Sequence, residues 1–258
     1  MSVLDKFNDL GTRTISAVVM IAVVVICVIM GPFWVTCLIA AVAGTMMWEY
    51  ARLTKFNPSR FMLTMIVAAV ASIFVAYLST WWAGLLVLIM GGLALYRPNR
   101  REWALSVLGY AYVGGAALAI YSIASGANSV LNLFWMITVV VLSDVGGYFA
   151  GRHFGGPKLW PAISPNKTWS GTIGGWVLST IAGVILAIFT KYALFFAILV
   201  CIILTIAAQA GDLLESWVKR RQGVKDASNL IPGHGGFLDR FDGMLAASLA
   251  FVAIPGIW

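Results

Sequence analysis

Charge is what this sequence has least of. Asp, Glu, Lys and Arg make up 10% of its 258 residues, against about 25% in an ordinary soluble domain. With 61% hydrophobic residues and a mean hydropathy of +0.92, a water-soluble body would lack the polar surface to cover itself. Cysteine is also rare. Cys27, Cys37 and Cys201 all lie inside apolar runs, without C-x-x-C or Cys/His metal spacing, and read as small buried apolar side chains. No G-x-x-x-x-G-K-[ST] run occurs, so there is no Walker A loop. The ten-residue segments of alternating polarity that mark a membrane β-barrel are missing as well.

What is present is a series of apolar runs of about 17–23 residues, the length of a membrane-spanning helix. The pattern predicts an all-α polytopic integral membrane protein with about nine spans. They fall near 14–30, 33–51, 60–79, 81–96, 103–125, 129–150, 170–190, 192–210 and 241–258. Ahead of the first, residues 2–13 place Val3, Leu4, Phe7 and Leu10 at helical spacing, which predicts a short interfacial helix. Asp5 and Asp9 spoil any resemblance to a basic signal-peptide leader.

The net charge of +7 points to membrane topology rather than to nucleic acid, because basic residues collect on the cytoplasmic side of membrane proteins and attract anionic headgroups. With the N-terminus in the cytoplasm, the cytoplasmic connections hold 16 of the 17 Lys and Arg residues, and only Lys191 falls outside. Arg52, Lys55, Arg60, Arg97, Arg100 and Arg101 then read as topology signals and headgroup contacts. The first half shows no internal repeat of the kind that builds many transporters.

Three constellations carry chemistry. In Ser143–Arg152, SDVGGYFAGR, Asp144 lies within an apolar span, where a carboxylate is costly and therefore a functional candidate. Pairing with a Lys or Arg is the structural alternative. Gly146, Gly147 and Gly151 beside it suit close helix packing or close approach of a ligand. In Ile163–Gly175, residues Ser164, Pro165, Asn166, Lys167 and Thr168 predict a polar turn before a span. It is either a phosphate cradle or a plain helix cap.

The third constellation, residues 211–242, concentrates five of the 17 basic residues, five of the 10 acidic ones and one of two histidines. Asp212, Glu215 and Lys219 share a helical face, and Asp239 and Asp242 form a second acidic pair. Between them come Arg220, Arg221, Lys225, Asp226 and the turn Pro232-Gly233-His234-Gly235-Gly236. That turn lets the chain fold back so that the two acid pairs meet. Crowded carboxylates with no cysteine suggest Mg²⁺, and flanking cations suggest phosphates, hence phosphoryl or nucleotidyl transfer. His234 binds phosphate or fixes the turn. On this reading residues 1–125 are a scaffold with lipid or dimer contacts. Residues 126–258 are a catalytic region with cytoplasmic loops 151–169 and 211–240.

Residues 216–242 resemble the signature of the phosphatidate cytidylyltransferase family, matching at Ser216, Lys219, Arg220, Lys225, Asp226, Pro232, His234, Gly235, Gly236, Asp239, Arg240 and Asp242. SDVGGYFAGR and SPNKTWSG are similar to two further blocks of that family, so the likeness spans roughly residues 140–245. Ser170 departs from it, since many members carry an acidic or amide residue there. The resemblance implies transfer of a cytidylyl group from CTP to phosphatidate, yielding CDP-diacylglycerol and pyrophosphate. It also implies Mg²⁺, with room for a second, monovalent cation, and a homodimer whose active site faces the cytoplasm. The compact length and absence of targeting signals suit a bacterial inner membrane. Carried over by position, Asp212 and Asp239 are metal ligands supported by Asp144. Ser164, Asn166, Lys167, Thr168, Lys219, Arg220, Lys225, Asp226, His234, Arg240 and Asp242 serve catalysis or substrate binding.

Two other functions compete. A CTP-dependent kinase of a polyprenol or phytol would need a base beside a neutral hydroxyl. A transporter of anionic solutes would need polar groups at the midplane and beyond, whereas the polar residues cluster on one side. A CDP-alcohol phosphotransferase is disfavoured because Asp242–Ala247 lacks the Arg of the D-G-x-x-A-R pattern.

Overall fold

The computed structural model describes residues 3–54, 59–95, 103–126, 128–190 and 193–255, and for residues 3–10, 59, 189 and 190 the backbone alone. Nine helices and one hairpin follow in order among them. They are α1 (Val3–Met30), α2 (Pro32–Leu53), α3 (Ser59–Leu78), α4 (Trp81–Ala94), α5 (Trp103–Ser125), α6 (Ser129–Phe154), β1 (Lys158–Trp160), β2 (Ser164–Thr168), α7 (Trp169–Thr190), α8 (Leu194–Arg221) and α9 (Leu238–Ala253). Each predicted span coincides with one helix. Seven are long and apolar enough to cross a membrane, while α4, with 14 residues, and α9, with 16, are shorter. The protein is an all-α polytopic membrane protein.

The helix ends follow the backbone chemistry. The prolines of the described residues avoid helix interiors, where the missing N–H and the ring would break the ladder. Pro32 opens α2, Pro157, Pro161 and Pro165 lie in or beside the hairpin, Pro232 lies in a loop and Pro255 follows α9. Gly31, at φ 104°, makes the reversal from α1 to α2, a conformation that favours glycine. Two predicted boundaries shift. The separate interfacial helix over 2–13 is instead the first part of one continuous α1, because no breaker lies between Gly11 and Ser16 and the Ser16 hydroxyl bonds back to the Thr12 carbonyl at 3.0 Å. Likewise α8 runs beyond 210 to Arg221, carrying Asp212, Glu215 and Lys219 on a helical extension. Lys55, Arg97, Arg100, Arg101 and Lys191, and the side chains of Val3, Leu4, Phe7 and Leu10, lie outside the described residues.

The chain divides into two compact units. One comprises Met1–Tyr121 with Val224–Phe241, the other Ser122–Gly223 with Asp242–Trp258. The stretch Val224–Phe241 packs with the first unit, since its polar backbone finds partners on α1 and α2.

In the first unit, small residues let α2, α3 and α5 approach around Ala40, Ala43, Ile73, Ala76 and Ala117. Two tyrosines cross-tie it. The Tyr50 hydroxyl donates to the Leu105 carbonyl at 2.7 Å and that of Tyr110 to the Leu88 carbonyl at 2.9 Å, so each buried O–H is satisfied where water is absent. The outward face of α1 from Ile15 to Met30 is apolar and exposed, as a helix side in lipid is.

In the second unit, Trp135, Met136, Val139, Val200, Cys201, Leu204, Ala247 and Phe251 form the core. Cys201 is buried there, as its apolar setting predicts. Some polar side chains inside the spans bond to one another and to nearby carbonyls. The Ser179 and Thr205 hydroxyls meet at 2.7 Å, and Thr205 bonds to the Cys201 carbonyl at 2.7 Å.

Candidate functional site

In the second unit α6, the hairpin and α7 line a cavity of about 540 Å³, a volume within the range of small-molecule sites. The hairpin makes one side. Residues Ser164–Thr168, predicted as a polar turn, form strand β2, which pairs antiparallel with β1 in the register Lys158↔Thr168 and Trp160↔Ser164. Proline at 157, 161 and 165 opposes helix, and Gly155 and Gly156, at φ 58° and 100°, turn the chain out of α6.

Thr168 joins hairpin to helix. Its hydroxyl oxygen accepts the Gly171 N–H at 3.1 Å, capping α7. It also meets the Ser170 hydroxyl at 3.0 Å, while Ser170 donates to the Gly155 carbonyl. Ser170, the departure from the family pattern, therefore ties the end of α6 to the start of α7. Thr168→Val is expected to lower stability by about 1 kcal/mol, the worth of an N-cap. An unchanged thermal midpoint in detergent would exclude the cap.

Among the predicted residues, Asp144, Asn166, Lys167 and Thr168 line the cavity, and Ser164 is in β2 outside its lining. The Lys167 ammonium forms an ion pair with the Asp212 carboxylate from α8, both side chains 28% exposed. Asp212 also accepts the Ser216 hydroxyl at 3.3 Å. Asp144 lies within electrostatic reach of both Asp212 and Lys167. One carboxylate thus pairs with a cation that lines the cavity, and a second lies within electrostatic reach of both. Further along α8, Lys219 and Glu215 pair at 3.1 Å, both buried. Asp242 lies within electrostatic reach of Lys219 and Asp212 and accepts the Gly243 N–H at 2.7 Å. Arg220 is exposed at the end of the helix.

The remaining predicted residues belong to the first unit, and they organise the Gly-rich loop. Asp239 accepts the N–H groups of Ala227 and Gly236 at 2.9 and 2.8 Å. The His234 N–H donates to the Ile231 carbonyl at 2.9 Å, and the His234 carbonyl accepts from the Arg240 side chain at 2.8 Å. The backbone of His234 thus holds the turn, while its Nδ1 is buried with no hydrogen-bond partner among the described residues. Lys225 and Asp226 are exposed. The sequence drew Asp212 and Asp239 into one pair; the structure allots them to different units. Among the described residues no group of three or more His, Cys, Asp or Glu side chains stands together as a metal cage.

Several site residues escaped the sequence reading. Arg152 and Lys158 add two cations to the cavity, with Arg152 donating to the Tyr148 hydroxyl at 2.6 Å. Gln209 lines it as well. Its amide donates to the Ser143 hydroxyl and the Thr172 carbonyl, both at 3.3 Å, and accepts the Trp176 indole N–H at 2.9 Å. The signal for Gln209 was there, since a lone amide in an apolar run is costly without partners. Glu49, also missed, is fully buried on α2.

A family model described as "Cytidylyltransferase family" matches residues 11–257. A phosphatidate cytidylyltransferase of Brucella suis biovar 1 is 43% identical over 143 residues, 54% of this chain and 53% of that protein. One from Staphylococcus saprophyticus is 43% identical over 145 residues and one from Staphylococcus haemolyticus 45% over 144, each alignment covering 55% of both chains. The aligned stretch spans about half the length of these relatives.

Proposed function

Since the chain belongs to the cytidylyltransferase family, we propose that it transfers a cytidylyl group from CTP to phosphatidate, releasing pyrophosphate and forming CDP-diacylglycerol. The reaction would take place at the cytoplasmic face of a bacterial inner membrane. The substrate assignment rests on the phosphatidate cytidylyltransferases it resembles. The observation that carries the chemistry is the cavity in which Lys167, Arg152 and Lys158 gather beside Asp144 and the Lys167–Asp212 pair.

The attacking group is a phosphate oxygen of phosphatidate, already anionic because the second pKa of a phosphate monoester is about 6. It bonds to the α-phosphorus of CTP as the bond to pyrophosphate breaks, so no strong general base is required. What is required is to bring two polyanions together in line and to stabilise the charge on the leaving group. Lys167, Arg152 and Lys158 supply positive charge. Asp212 orients the Lys167 ammonium, and the Thr168 hydroxyl holds the start of α7 in place.

The donor set suits Mg²⁺, which is commonly held by one or two carboxylates together with substrate phosphates rather than by an all-protein cage. Asp144 and Asp212 supply two carboxylates in electrostatic reach of each other, and Asp212 already holds a cation in the form of Lys167. Bound there, Mg²⁺ would neutralise charge on the triphosphate. Asp239, engaged by two amides of its own loop, serves as a loop organiser in this reading.

Purified protein given CTP, phosphatidate and Mg²⁺ is expected to release pyrophosphate and form CDP-diacylglycerol in equal amounts. Release of CDP would identify the lipid kinase instead. Absence of turnover with CTP across metals and detergents would overturn the proposal.

A further inference from the structure

On the basis of the proposed reaction, with Lys225, Asp226 and Arg240 taken as substrate-binding residues from the family resemblance, we infer that Glu49 is a positioning residue, a buried carboxylate on α2 that fixes the stretch from Val224 to Phe241, which carries them, including the first residues of α9. Glu49 has no exposed surface. An unpaired carboxylate in that position would be strongly unfavourable. Its compensation comes from the loop. Oε1 accepts the Ser228 hydroxyl and, at 3.0 Å, the Phe237 N–H, and Oε2 accepts the Leu238 N–H at 2.7 Å.

Those two amides stand at the start of α9, where backbone donors have no partner within the helix and the dipole favours an anion. Asp239 takes the neighbouring Gly236 N–H from the other side. The helix start is therefore capped by two carboxylates, one from its own first turn and one from α2, 188 positions back along the chain from Phe237. The fit is tight. A Cβ on Gly236 would stand 2.5 Å from Glu49 Oε1 and 2.9 Å from the Ser228 hydroxyl, so any side chain there has to displace the Glu49–Ser228 contact. Nearby, the Ser16 hydroxyl donates to the Pro232 carbonyl at 3.0 Å, and a Cβ on Gly233 would stand 2.8 Å from the Arg13 side chain. The loop carrying Lys225, Asp226, Asp239 and Arg240 is thus seated on α1 and α2, and Glu49 is its most buried anchor.

Glu49→Gln replaces one acceptor oxygen with an N–H₂ that faces backbone donors. Turnover number is expected to fall by roughly 10²-fold, the size of effect produced when a distant change moves a site by about 1 Å, with KM for CTP little changed. Hydrogen exchange of the full-length protein in detergent is expected to show faster exchange at Phe237 and Leu238 in Glu49→Gln, with α6–α8 unchanged. Ser228→Ala removes one link to the same carboxylate and is expected to act in the same direction more weakly. Combined with Glu49→Gln it is expected to add little, as two residues in one unit do. Unaltered exchange at 237–238 in both variants, or losses that multiply fully in the double variant, would overturn the inference. If wild-type protein failed to transfer cytidylyl groups, the proposed function would fall. The exchange result would still decide whether Glu49 holds the loop.

Discussion

Lys167→Met is expected to reduce pyrophosphate release at saturating CTP by roughly 10²- to 10³-fold, the range seen when one preorganised stabiliser of developing charge is removed. Lys167 lines the cavity and is held by Asp212, so its ammonium is aimed before substrate arrives. Its removal deletes a cation from the proposed triphosphate site and also leaves Asp212 and Asp144, which act on each other electrostatically, without the charge that offsets their repulsion. Asp212→Asn is expected to be similarly damaging for the complementary reason, since the ammonium loses its partner and the carboxylate pair proposed to hold Mg²⁺ is broken. Because the two act as one unit, the double variant should be scarcely worse than either single variant. Steady-state rates of the three variants, each confirmed monodisperse, provide the check. A Lys167→Met enzyme within tenfold of wild type would remove Lys167 from the reaction. Full multiplicativity of the two losses would show that the ion pair is incidental.

The helices were legible because a membrane demands long apolar runs, and the nine runs read from the sequence became nine helices among the described residues. The ends were less so. Hydropathy marks where the bilayer stops and does not mark where the backbone stops being helical, so α8 continues through Asp212, Glu215 and Lys219 to Arg221. The hairpin at 158–168 was hidden because its strands are three and five residues long, too short to show a period.

For the site, chemical type was readable and partnership was not. Asp144 stood out as a charge inside an apolar run, and Lys167 and Asp212 as charges at the ends of such runs; the structure places Lys167 on Asp212. Glu49 carried the same signal, a lone carboxylate near the end of the apolar run 33–51. Its partners, Ser228, Phe237 and Leu238, lie almost 180 positions or more away, two of them contributing backbone groups that no sequence pattern reveals. The grouping of Val224–Phe241 with the first unit was illegible for the same reason.

Gly174→Leu is expected to abolish activity through packing alone. The helices α6 and α7 approach until backbone touches backbone. A Cβ at Gly174 would stand 2.2 Å from the Ala150 Cβ and 3.1 Å from the Gly146 carbonyl, and one at Gly146 would stand 2.7 Å from the Gly174 carbonyl. None of these atoms is the movable end of a side chain, so a larger residue has to drive the helices apart. In lipid the contact between them depends on close packing of small residues, because no hydrophobic gain holds apolar helices together there. The glycines lining the cavity, Gly147, Gly151 and Gly171, lie within a turn or so along the same two helices, so separating them also deforms the cavity wall. Overpacking a core typically costs about 1–3 kcal/mol, and a backbone-limited crossing belongs at the upper end. Thermal unfolding in detergent should therefore show a lowered midpoint for Gly174→Leu and a smaller drop for Gly174→Ala. Gly11→Ala is the matched control. No atom lies within 4 Å of a Cβ built there, so alanine should be neutral or stabilise by up to about 1 kcal/mol through helix propensity. Gly174→Leu with a wild-type midpoint and wild-type turnover would show that α6 and α7 do not need to meet at this distance for the enzyme to work.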